Sequence, residues 1–214
     1  MMWSFRRNNI KLIKMKTNIK FIIMGETKMK TNTKKLVLNS ILLALGLILH
    51  QLTPALGLPI QPDMALAMLF TIMILNKGDY KSCLVAGIVT GIFTALTTKF
   101  PGGQVPNVVD KVITTNIIYL VMYVMYRLPI VSKLKENKQN IIISAVIFPI
   151  GTLISGVIFL GSAKILVGLP GSFTALFMVA VLPAIFLNSI VGIFLYKVIA
   201  MSLKRGNFSI QNAK

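Results

Sequence analysis

Asp110 and Lys111 stand side by side at the start of a long apolar stretch. An ionisable side chain inside an apolar helix costs about 3 kcal/mol unless it faces protein, water or a partner. Charges of opposite sign in that setting therefore point to a polar site. Two other segments bring similar residues. One is His50-Gln51-Leu52-Thr53-Pro54, at the end of the first apolar block. The other is Gln61-Pro62-Asp63, just before the second. The third segment runs Phe100-Pro101-Gly102-Gly103-Gln104-Val105-Pro106-Asn107-Val108-Val109-Asp110-Lys111. Together they hold what a zwitterionic amino acid needs. A lysine meets a carboxylate, an aspartate meets an ammonium, and unbonded N–H groups at a helix start attract an anion. Gly102 and Gly103 let backbone approach a ligand closely.

The candidate solute-binding residues are His50, Gln51, Asp63, Phe100, Gly102, Gly103, Gln104, Asn107, Asp110, Lys111 and, in the middle of the last apolar block, Asn188. Each has a plainer reading. Asp63 is also placed to cap a helix start. His50 is also placed as an interfacial side chain, or as a proton carrier. Asn188 and, more weakly, Asn116 are amides that need a partner in an apolar span, whether helix or ligand. Phe100, Phe173, Phe177 and Tyr119 are able to stack on an aromatic ligand, although aromatic residues collect at membrane interfaces anyway. Cys83 reads as a small packing residue.

The elements that must position these residues are helices in a membrane. Hydrophobic residues make up 55 % of the 214-residue chain and charged residues 13 %, against roughly 25 % charged in a soluble domain. The mean hydropathy is +0.79. The apolar residues fall in blocks at about 36–52, 63–76, 82–98, 107–127, 140–160 and 173–202. A bilayer core needs about 20 helical residues, so the second and third blocks are short and either borrow flanking residues or lie deep in the bundle. No barrel-like alternation appears. The expected fold is all-α, a polytopic bundle of six transmembrane helices. Its expected divisions are a basic tail over 1–35, the helical domain over 36–205 and a C-terminal tail over 206–214.

Charge sets the orientation. The tail, the loops 77–81 and 127–139 and the C-terminal end carry nearly all of the 23 basic residues; only Lys99, Lys111 and Lys164 fall on the opposite side. Both termini are therefore expected in the cytoplasm, with the polar cluster on the outer face of a bacterial-type inner membrane. Small residues at spacing four (Ser40 and Ala44; Gly87, Gly91 and Ala95; Gly151 and Ser155) mark close helix contacts, and Pro149 and Pro183 mark kinks. The tail's apolar run, Phe21 to Met24, is too short for a signal-peptide core. Its start is open between Met1 and Met29, because the codons for Met24 to Lys28 would fit a purine-rich ribosome-binding sequence.

Several function classes drop out. The net charge of +18 is explained by the membrane surface, so no nucleic-acid partner is expected. One cysteine permits no internal disulfide, and one histidine with no Cys/His cluster gives no metal site. No cofactor is expected. There is no phosphate loop of the ATP-hydrolysing type and no nucleophile–histidine–acid set, so an enzyme has no support.

With these residues in view, the chain resembles the bacterial tryptophan transporter (TrpP) family over about 31–205. The likeness is carried by His50-Gln51-Leu52-Thr53-Pro54, Pro62-Asp63, and the run from Ala95-Leu96-Thr97-Thr98 through Phe100-Pro101-Gly102-Gly103-Gln104-Val105-Pro106-Asn107 to Asp110-Lys111. The resemblance implies tryptophan uptake and similarity to the six-helix substrate-binding subunits of energy-coupling-factor transporters. In those subunits a small-xxx-small motif on the first helix docks a transmembrane coupling protein, which works with separate ATPases. Ser40 and Ala44 match it, with serine where alanine is usual. An ion-coupled secondary carrier, with His50, Asp63 or Asp110 holding the coupling ion, and a membrane scaffold without cargo are the competing readings. If the charges face the solute, Asp110→Asn or Lys111→Ala weakens binding more than folding.

Overall fold

The computed structural model describes residues 33–53 and 63–206. The basic tail with its two candidate starts, the segment with Pro54, Gln61 and Pro62, and the last residues lie outside these. The chain divides into two compact units, 1–38 with 209–214, and 39–208. Of the first, only the opening turns of one helix are described. The second holds everything below.

Among the described residues every regular element is a helix. α1 spans Thr33–Leu52, α2 Ala65–Leu75, α3 Tyr80–Leu96, α4 Gln104–Arg127, α5 Pro129–Ser132 and α6 Glu136–Leu166. α7, Phe173–Leu176, a π-helical segment Phe177–Val181 and α8, Leu182–Arg205, follow one another in a single rod of 33 residues. The four helical stretches long and apolar enough to cross a membrane are α1, α4, α6 and this rod.

The two short blocks differ in kind. α2 has 11 residues, about 16 Å at 1.5 Å per residue, well below a bilayer core of about 30 Å. Ala65 through Ile74 are all buried, because α2 packs against α3, α6 and α8, while Gly46 of α1 lies against Met68. A helix that is apolar on every face belongs inside the protein. α3 has 17 residues and buries one face. Gly87 and Gly91 lie on it, and a Cβ at either would press on Thr115 or on Val108 and Lys111 of α4. The small-residue spacing thus brings α3 and α4 together. Gly151 likewise receives the Phe70 ring, and Gly192 the Phe148 ring.

The helix ends follow local chemistry. Asp79 caps α3, its carboxylate accepting from Ser82 N at 3.1 Å and Ser82 Oγ at 2.8 Å. Leu128 is extended (ψ 133°) ahead of Pro129 and ends α4. Gly168 (φ +88°) takes the left-handed position after α6, its N–H bonded to Ala163 O. The Ser172 hydroxyl accepts from Ala175 N at 3.2 Å and opens the rod. Pro183 has no N–H to offer the preceding turn and its ring crowds the carbonyl four residues back. The π segment ends two residues before it, where the sequence leads one to expect a kink.

Candidate functional site

One cavity in the second unit gathers the chemistry. α1 brings His50 from its last turn. Asp63 lies just before α2, Thr98 and Phe100 lie between α3 and α4, and α4 brings Asn107, Asp110 and Lys111. α6 contributes Thr152, Ser155, Gly156, Phe159 and Leu160; the rod contributes Ala180, Val181, Ala184 and Asn188; and Leu66 of α2 completes the wall. With the open space at its mouth counted, about 610 Å³ lies between these side chains.

Its polar end is a chain of charges. The Lys111 ammonium lies 2.5 Å from Asp63 Oδ2 and also pairs with Asp110 Oδ2. His50 Nδ1 is 3.1 Å from Asp63 Oδ1, an oxygen that also accepts from Ala65 N at 3.1 Å. Asp63 thus supports the first turn of α2, next to the N-cap residue Met64, and also joins the cluster. Asp110 accepts from Thr114 Oγ1 at 2.8 Å and from Ser155 Oγ at 2.8 Å. Asp110 is 0 % exposed and Lys111 1 %. Buried charges persist only when paired and hydrogen-bonded, and here each is. Asn107, Asp110, Lys111 and Thr114 share one face of α4 through the helical spacing of three and four.

The other end is apolar. Phe100 and Phe159 meet edge to face at 5.5 Å, beside Leu66, Leu160, Ala180, Val181 and Ala184. The π segment supplies two of these, and such turns recur at functional sites. Asn188 stands near the cluster: its Nδ2 donates to Asp63 O at 3.1 Å and approaches Thr152 Oγ1 at 3.4 Å. An amino acid with a large apolar side chain matches this division. Its carboxylate suits Lys111, its ammonium suits the aspartates, and its side chain suits the apolar wall.

Seven of the candidate residues come together on the wall: His50, Asp63, Phe100, Asn107, Asp110, Lys111 and Asn188. Four stand off it. Gln51 is exposed on the last turn of α1. Gly102 (φ +71°) is exposed in the turn before α4. Gly103 is the N-cap of α4 and donates to Phe100 O. Gln104 is exposed on the first turn of α4, one turn before Asn107. The two glycines shape the turn rather than line the site: a Cβ at Gly102 would collide with Val167, and one at Gly103 would crowd Thr98 and Phe100. The remaining aromatic and amide candidates stand off the wall and pack elsewhere. Asn116 accepts from Tyr80 OH at 2.7 Å, Tyr119 packs on Tyr80, and Phe173 stacks on Phe177 against Leu160, Leu176 and Val181. Cys83 is buried. Ser40 and Ala44 are both exposed on α1. Among the described residues, no three His, Cys, Asp or Glu side chains group to hold a metal ion.

The model of the family described as tryptophan transporter TrpP matches residues 32–204. The chain belongs to that family. It is 51 % identical over 178 residues, 83 % of this chain and 97 % of the relative, to a probable tryptophan transport protein of Clostridium perfringens. Proteins of the same description from Clostridium acetobutylicum and Bacillus subtilis are 44 % and 40 % identical, each over 82 % of this chain and 97 % and 96 % of their own lengths. No solved structure matches the chain. The matched span of this TrpP-family member contains every residue of the cavity wall. Together with the four long apolar helices, the family makes this a membrane protein.

Family membership also puts the wall residues that sequence reasoning passed over in context. Ser155 was legible, but as a packing position four residues after Gly151. A hydroxyl inside an apolar span signals a polar partner as readily as a close helix contact. Thr152 and Thr98 carried the same weak signal. Gly156, Phe159, Leu160, Ala180, Val181 and Ala184 had none, since apolar and small side chains are the background of any membrane helix.

Proposed function

We propose that this protein carries tryptophan across the cytoplasmic membrane and holds it in the cavity beside the His50–Asp63–Lys111–Asp110 cluster. The observation that carries the reading is the juxtaposition of a buried, paired set of charges with an apolar wall in one cavity. The family and its relatives supply the solute. In this reading six helices lie in the membrane, with α2 as an inner helix that others shield from lipid. Both termini face the cytoplasm, and the cavity opens outward, because the basic loops stay inside.

The energy source is the finer part of the proposal. Ser40 and Ala44 lie exposed on α1, which fits docking of a transmembrane coupling protein whose ATPases power uptake. A specific feature favours the ion-coupled alternative: two buried carboxylates share the one Lys111 ammonium, a setting that also suits a proton or another small cation. Uptake of labelled tryptophan into cells lacking their own tryptophan transporters tests both. Expression of this chain should produce uptake that excess unlabelled tryptophan blocks, and absence of uptake when the coupling protein and ATPases are present refutes the proposal. Uptake that persists without the ATPases and collapses with an uncoupler selects the ion-coupled form.

A further inference from the structure

Asn188 is 0 % exposed, and its two terminal atoms have different fates. The atom facing Asp63 O at 3.1 Å must be the NH₂, because a carbonyl oxygen only accepts. The same nitrogen approaches Thr152 Oγ1. That fixes the amide and leaves Oδ1 buried, with no hydrogen-bond partner among the described residues. A buried acceptor without a donor is costly, and buried polar atoms in folded proteins are nearly always satisfied. Asn188 belongs to the cavity wall, so a bound solute is placed to supply the missing donor.

Its position says which donor. Ala180, Ala184 and Asn188 all line the cavity from one strip of the same rod. The first two are small enough to leave space for a flat ring. Asn188 also touches two residues at the polar end, donating to the backbone oxygen of Asp63 and approaching Thr152 Oγ1. Asn188 therefore marks the seam between the polar and apolar ends. In tryptophan the ring N–H belongs to the five-membered ring, the half of indole nearest the α-carbon. A molecule with its amino and carboxylate groups at the cluster and its benzo ring against Phe159 and Ala184 brings that N–H to the seam.

We infer that Asn188 is the specificity-determining residue of the site, its Oδ1 accepting the indole N–H and so selecting indole over other aromatic side chains. The inference rests on the tryptophan reading above and adds the atom that discriminates. A site built to hydrogen-bond a ligand N–H rejects an analogue of the same shape that lacks it, because the buried acceptor is then stranded.

The test is calorimetric titration of the purified full chain with tryptophan, with benzothienylalanine, which carries sulfur where indole has N–H, and with phenylalanine. Tryptophan should bind at least about tenfold more tightly than benzothienylalanine. Asn188→Leu should erase that difference by weakening tryptophan more than benzothienylalanine. Equal binding of tryptophan and benzothienylalanine by the parent protein overturns the inference while leaving the tryptophan reading intact, and needs no variant. A preference for tryptophan over benzothienylalanine that survives in Asn188→Leu also overturns it, since another atom would then be reading the indole N–H. If no tryptophan binds the parent at all, the inference falls together with the proposed function.

Discussion

Replacing Lys111 with methionine keeps an unbranched side chain of similar length and removes the one ammonium between two buried carboxylates. In the parent that nitrogen contacts both Asp63 and Asp110. Without it, His50 still faces Asp63 at 3.1 Å, and Thr114 and Ser155 still donate to Asp110. These remaining partners put the cost at the lower end of the roughly 3–5 kcal/mol for breaking a buried pair, thus about 3 kcal/mol. That is a large part of a total stability of about 5–15 kcal/mol. Asp110→Asn retains an acceptor and removes only the charge, so it should cost about 1–2 kcal/mol. The pair Lys111→Met with Asp110→Asn should be more stable than Lys111→Met alone by about 1 kcal/mol or more, because one uncompensated charge is gone. Reversible unfolding of the purified proteins in mixed detergent–lipid micelles measures all three. A Lys111→Met stability within about 1 kcal/mol of the parent, or a double variant no better than the single, would refute the argument that this lysine compensates both carboxylates. The sequence alone leads one to expect the effect of losing Lys111 mainly in binding; its burial moves the first effect to folding.

Other consequences can be checked independently. Gly87→Val should push α3 off Thr115 of α4 and destabilise by about 1–3 kcal/mol, read in the same unfolding assay; an unchanged midpoint would contradict the packing. Ala44→Trp should abolish co-purification of a coupling protein while leaving tryptophan affinity as it is, and normal recovery of the partner would remove the docking proposal. Gln104→Cys in a Cys83→Ser background should react with a membrane-impermeant maleimide added outside intact cells. Labelling only after permeabilisation would invert the proposed orientation.

The sequence revealed the polar end of the site more readily than the apolar end, for a physical reason. Asp110 and Lys111 are conspicuous because a charge in an apolar span needs an explanation, and Asn188 because an amide does. All three lie on the wall. Gln104 fell in the same polar run, but side-chain type does not reveal that α4 begins at that residue and leaves it exposed. Ala184 and Phe159 had no distinguishing mark, since facing a cavity and facing lipid favour the same residue types. The short second block was legible as short, yet its complete burial follows from four neighbouring helices that the local sequence does not specify. The π segment before Pro183 shows the same limit: proline signals a disturbed helix, and packing decides its form.

The claim on which the account stands is that one cavity holds tryptophan through its buried charges. Titration of the purified protein with tryptophan, in parallel for the parent and for Asp110→Asn, tests it most directly. The parent should bind saturably and the variant at least about tenfold more weakly, with the variant still folded. A folded parent that binds no tryptophan, or an Asp110→Asn protein that binds it as tightly as the parent, would contradict it.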